Sequence, residues 1–155
     1  MGAVVKPDGK LLATPTSDGS GTLLWDTATR KRVAVLRHGR ESALSAAISP
    51  DGLWLVVPAV FGGDGQASGV HLQIWNLKTR RLDRLADSPA GFLSTAHFSS
   101  DGRTLITQGG QQLDGPSNTS VVVWDTATWT PIGNPWKLED DYYGDRSLAV
   151  SPDAA

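Results

Sequence analysis

With 155 residues and a formal charge of −2, the chain fits one domain and offers no basic face for nucleic acid. It has no cysteine, which excludes disulfides, thiolate metal sites and cysteine nucleophiles. No apolar stretch nears the roughly 20 residues of a membrane span, and no basic-then-apolar leader opens the sequence, so a cytoplasmic location is expected.

In chain order, Met1 to Val5 reads as a short strand running into the turn Pro7-Asp8-Gly9. Proline presets φ there, aspartate caps its own backbone and glycine supplies the open conformation. Lys10 to Thr14 is a second strand, broken at Pro15, and Ser17 to Gly21 is a polar loop. Thr22 to Trp25 is a third strand, Asp26 to Arg30 its exit turn, and Arg32 to Leu36 a fourth. One four-stranded unit is complete before the charged connector Arg37 to Ser42.

The second unit repeats this order around Pro50-Asp51-Gly52. Its strands are Ala46 to Ile48, Leu53 to Val57, Val70 to Trp75 and the weaker Leu82 to Leu85. In the third unit the strands are Ser94 to Ser99, Thr104 to Thr107 and Val121 to Trp124. The polar stretch Gln108 to Ser120 reads as a loop too soft for regular structure. Pro131 to Leu138 stands for the fourth strand, its prolines confining it to a sheet edge. Ser147 to Val150, followed by Pro152-Asp153, opens a fourth unit.

Two markers therefore recur in register. The turn aspartates Asp8, Asp51, Asp101 and Asp153 fall at intervals of roughly 50 residues, as do Trp25-Asp26, Trp75-Asn76 and Trp124-Asp125. Four strands per period of that size predict propeller blades at about 2–37, 43–86 and 92–138, with a fourth beginning at 146–155. The first strands carry small residues (Ala46, Ala47, Ala96, Ala149), which suits the crowded centre of such a ring. The third strands are continuously apolar, which implies burial on both faces.

Ala47-Ile48-Ser49-Pro50-Asp51-Gly52, Leu24-Trp25-Asp26-Thr27-Ala28-Thr29 and Val123-Trp124-Asp125-Thr126-Ala127-Thr128 resemble the WD-repeat family of β-propellers. The likeness is strongest to the repeats of large bacterial regulatory proteins, and it implies an all-β fold of three four-stranded antiparallel blades plus the first strand of a fourth. The family's Gly-His pair is missing, His38-Gly39 having the reverse order. The buried Asp–His–Ser/Thr–Trp relay of that family is thus expected to be incomplete, with Thr16, Asp18 and Trp25 as three members in the first blade. Three blades do not close a ring of four to eight. Either the chain is part of a longer, incomplete propeller, or two copies associate to complete one.

No nucleophile elbow, phosphate-cradling loop or zinc-peptidase pattern occurs. Asp8, Asp51 and Asp101 are accounted for as turn residues. Glu139, Asp140, Asp141 and Asp145 lack the spacing of a calcium loop. His38, His71 and His97 fall in different blades, with His97 on an inner strand facing the channel. Trp25, Trp75 and Trp124 are blade-packing residues; Trp54, Trp129 and Trp136 do not repeat and are recognition candidates. In WD-repeat proteins the inter-blade connector and the loop between second and third strands share one rim. That rim would carry Arg37, Arg40, Glu41, Asp87, Phe92, Tyr142 and Tyr143. The expected function is a non-catalytic scaffold, without cofactor or metal, displaying these loops to a protein or peptide partner. The alternative is a propeller hydrolase or lactonase with a metal in the central channel, which requires carboxylates or histidines converging on the axis.

Overall fold

Short β-branched and aromatic runs, punctuated by Asp-Gly turns, leave the chain no helical period to follow. The computed structural model describes residues 2–39, 42–43, 45–61, 69–91, 93–111 and 118–138. Its ordered segments are all strands, in three antiparallel sheets. Blade 1 holds β1 (Val4–Val5), β2 (Leu11–Pro15), β3 (Gly21–Asp26) and β4 (Arg32–Arg37), paired in chain order. In blade 2, β5 (Ser42–Ala43) and β6 (Ala47–Ile48) both pair with β7 (Trp54–Phe61), followed by β8 (Gly69–Asn76) and β9 (Arg81–Asp87). In blade 3, β10 (Leu93–Phe98), β11 (Thr104–Gln111) and β12 (Asn118–Asp125) are followed by β13 (Thr130–Pro131) and β14 (Trp136–Leu138). Both short strands lie on β12, so the proline-bearing fourth strand is an interrupted edge.

The stretch Gln108 to Ser120 departs from the sequence expectation. Gln108 to Gln111 belong to β11 and Asn118 to Ser120 to β12, paired from Gln108↔Val121 to Gln111↔Asn118. The sequence carries no strand signal there because glycine and polar residues supply none, while backbone pairing continues through them. Blade 2 does the same. Its second strand runs past Val57 through Pro58 to Phe61, which pairs with Gly69.

Each blade has a front face toward the preceding blade and a back face toward the next. Strand alternation decides which residues take which side. On the front of blade 2, Leu55, Val57, Gln73 and Trp75 are all buried, and the apolar three pack on Ala13, Leu24 and Leu36 of blade 1. Leu105, Thr107, Val122 and Trp124 hold the same places on blade 3, against Val56, Leu72, Ile74 and Ala86 of blade 2. The continuous apolar runs of the third strands therefore serve both faces at once. The outermost fourth strands are mostly exposed.

Turn chemistry sets the blade edges. Each turn aspartate accepts the amide two residues on: Lys10 N to Asp8 at 3.0 Å, Leu53 N to Asp51 at 2.9 Å, Arg103 N to Asp101 at 3.0 Å. Gly102 sits at φ 72° with the Pro50 ring of the preceding blade against it, so a side chain there would be both strained and crowded. After the tryptophan marker, Asp26, Asn76 and Asp125 cap the next turn through Thr29 N (2.7 Å), Thr79 N (3.0 Å) and Thr128 N (3.1 Å). The fourth residue after each cap is left-handed: Arg30, Arg80 and Trp129, at φ 57°, 58° and 58°. Arg30 is exposed, so Arg30→Gly removes the strain of a left-handed side chain and loses no packing. A gain of up to about 1 kcal/mol in urea unfolding is expected. Arg80 is not equivalent, because its guanidinium reaches the Val33 carbonyl of blade 1 at 3.1 Å.

Candidate functional site

The two rims of the blades differ. On one, the turns between first and second strands are laced to those between third and fourth. Thr27 Oγ1 donates to the Gly9 carbonyl and Thr126 Oγ1 to that of Gly102, each at 2.6 Å. That rim is closed by its own hydrogen bonds. On the other, the hairpins of blades 2 and 3 rise higher than that of blade 1. The blade 1 ladder stops at Pro15↔Thr22, whereas the equivalent pairs Pro58↔Leu72 and Gln108↔Val121 are followed by three more in each case. Three pairs add about 10 Å of height.

Arg37 and Asp87 lie on this taller rim, exposed, at the ends of β4 and β9. Arg37 pairs with Gly21 and Asp87 with His71, which places both beside the base of a second-to-third-strand loop. Arg40, Glu41, Phe92, Tyr142 and Tyr143 lie outside the described residues, as do the acidic residues of 139–145.

The first strands border a shallow groove of about 700 Å³, the inner side of the arc. Its walls include Ala46, Ala47, Ala96, Ser45 and Ser94, in keeping with the small residues expected near an axis. His97 is exposed there. The described lining brings one imidazole and no carboxylate to the groove, and no described group of three or more His, Asp or Glu residues is placed to hold a metal.

Two of the three non-repeating tryptophans are packing residues. Trp129 is buried, edge-on to Trp54 at 6.1 Å and to Phe98 at 6.3 Å, which holds its left-handed backbone in place. Trp136 is 63% exposed on the edge strand of blade 3. Of the three, it alone keeps the surface expected of a recognition residue.

The polar relay also differs from expectation. Trp25 Nε1 donates to Thr14 Oγ1 at 2.9 Å, not to Thr16, whose hydroxyl is engaged with Gly21 N (3.0 Å) and O (3.2 Å). Trp124 Nε1 donates to Thr107 Oγ1 at 2.9 Å in the same way. Blade 2 has Val57 at that position, and Trp75 Nε1 turns to Gln73 Oε1 at 3.0 Å. Gln73 Nε2 in turn reaches the His38 carbonyl at 3.4 Å. His38 is buried at the blade 1–2 junction, its Nε2 3.1 Å from Thr22 Oγ1 and its ring 6.2 Å from that of Trp75. A signal for the partner position was present: Thr14 and Thr107, the two threonine partners, each stand six residues after a turn aspartate, as does Val57, which offers no acceptor.

Four carboxyls are held below their ordinary range by donors in these turns. Lys10 N–H lowers Asp8, Thr29 N–H lowers Asp26, and the Ser99 hydroxyl lowers Asp101. The Thr16 hydroxyl and both donors of Ser20 hold Asp18 down to about 2. A carboxyl lowered by folding stabilises the fold above its unfolded pKa of about 4 and loses that contribution as pH falls toward the folded value. Stability is therefore expected to decline below about pH 4. Asp18→Asn, which keeps an acceptor but cannot titrate, should flatten the decline when urea midpoints are compared between pH 4 and pH 2.

No family model matches the sequence, and no curated protein matches it. Among solved structures, the chain is similar to the crystal structure of RRP9 WD40 repeats, with TM-score 0.68 and 18% identity over 84% of this chain. It spans 36% of that chain's length, about a third. The chain thus has the fold of WD-repeat propeller blades, and at this identity the likeness shows the fold alone.

Proposed function

We propose that this chain is a non-catalytic interaction scaffold whose taller rim displays loops to a protein or peptide partner. The observation that carries the reading is the inequality of the rims. One is closed by its own turn-to-turn hydrogen bonds, while the other lifts two hairpins and two opposite exposed charges away from the core. Strands that hold loops in fixed register suit recognition. The WD-repeat fold of the comparison structure supports the same reading.

Selection of a random peptide library on the immobilised chain, followed by titration of enriched peptides, tests it. Arg37→Glu or Asp87→Lys is expected to weaken binding by about tenfold while the melting temperature holds. Lys78→Glu, in a turn of the laced rim, should leave binding unchanged. Peptides that respond only to Lys78→Glu, or metal-dependent turnover in an ester and lactone panel, would overturn the reading.

A further inference from the structure

We infer that the cavity between blades 2 and 3 takes an unbranched alkylammonium group, the side chain of a lysine on another polypeptide. The cavity lies at the laced rim, between Ser49, Asp51 and Trp54 of blade 2 and Phe98, Asp101, Gly102 and Thr126 of blade 3. The lacing there runs within each blade and leaves this space between the two. Its volume of about 100 Å³ is the scale of one side chain, well below the ~300–1,000 Å³ of a drug-sized ligand's pocket.

The chain supplies its own comparison at the preceding junction. Lys6 N donates to the Leu11 carbonyl, Ser49 N to that of Trp54 and Ser99 N to that of Thr104, so Lys6, Ser49 and Ser99 are equivalent turn positions. By the same register, Asp8, Leu11, Ile48, Gly52 and Leu77 stand between blades 1 and 2 where Asp51, Trp54, Phe98, Gly102 and Thr126 stand between blades 2 and 3. At the first junction the space is filled. Leu11, Ile48 and Leu77 pack in one apolar cluster, and the Lys6 stem lies over Gly52, where a Cβ would collide with it. The Lys6 ammonium ends on Asp8 Oδ2 at 3.0 Å.

At the second junction that lysine is replaced by Ser49, whose short side chain turns back onto Asp51 Oδ1 and Trp54 N. Among the described residues no cation pairs with Asp51, whereas its counterpart Asp8 has one. Asp101 meets the Arg103 guanidinium at 3.8 Å, on a side chain 88% exposed. The walls change as well. Leu11 and Ile48 give way to Trp54 and Phe98, both braced edge-on by buried Trp129. Aromatic faces attract an ammonium in a way that aliphatic ones do not. Two carboxylates, two aromatic walls and a space of side-chain size thus await from outside what Lys6 provides from within.

Titration with Nα-acetyl-lysine N-methylamide, followed by nitrogen–proton correlation NMR, should move the Trp54 indole and Gly102 amide signals with millimolar affinity. The norleucine analogue, which keeps the stem and lacks the ammonium, should not. Asp51→Asn retains an acceptor for Leu53 N and should weaken binding about tenfold with unchanged circular dichroism. Asp8→Asn, at the filled junction, should leave binding unchanged. Ser49→Lys should abolish it by filling the cavity as Lys6 does next door. No shift at Trp54, equal shifts with the norleucine analogue, or full affinity in Asp51→Asn would overturn the inference. So would preference for cadaverine over the lysine analogue, which would assign the cavity to a free amine. Arg37→Glu and Asp87→Lys, on the taller rim, should not affect this binding, so its outcome is separate from that of the rim proposal.

Discussion

Trp124→Ala is expected to destabilise the fold by about 3–5 kcal/mol, the cost of truncating a large buried aromatic. Trp124 is 0% exposed and packs within the cluster that joins blade 3 to Val56, Leu72 and Ile74 of blade 2. Neighbours on two separate sheets cannot collapse into the space without breaking strand pairing, so the cavity term should be near its upper end. Urea unfolding followed by circular dichroism measures it. Trp124→Phe should recover much of the loss, lacking the indole donor to Thr107 and part of the ring. A loss below about 1 kcal/mol for alanine would mean that the blades are not mutually supporting.

Thr107→Val should cost about 1–3 kcal/mol, although the two side chains have nearly the same shape. The substitution leaves Trp124 Nε1 buried without its acceptor, and an unpaired buried donor is more expensive than the hydrogen bond was worth. Blade 2 already contains the compensated version. Val57 stands at the threonine position, and Gln73, opposite it in register, accepts from Trp75. Val122 is opposite Thr107, so Thr107→Val with Val122→Gln should be more stable than Thr107→Val alone. A double mutant no better than the single would show that the two blades do not treat the tryptophan alike.

Much of this molecule was legible before folding. The turns at Asp8, Asp51 and Asp101 and the tryptophan marker are local chemistry, set by φ preference and by side chains capping their own backbone. The small residues of the first strands were readable as well, and they line the inner groove. The hairpin extensions through Phe61 and Gln111 were not: in blade 3 pairing continues through Gly109, Gly110 and glutamines that carry no strand signal, and in blade 2 it continues past Pro58, a residue that reads as a strand end. Thr16 was a plausible partner for Trp25 by proximity in the chain, yet strand register gives that role to Thr14. Trp129 does not repeat, but its surroundings are those of a core: Trp54 comes from blade 2 and Phe98 from the first strand of its own blade.

The sequence by itself determined that the chain is a succession of four-stranded blades. That property rests on short-range rules, turn residues and apolar runs, which act within a few residues and repeat wherever the same letters repeat. Only the tertiary structure decided which copies of a repeated residue are covered. Trp25 and Trp124 carry the same marker, but Trp124 is buried against blade 2, whereas among the described residues Trp25 is only half-buried. Burial is a property of neighbours distant in the chain, so identical letters acquire different roles once the blades are stacked.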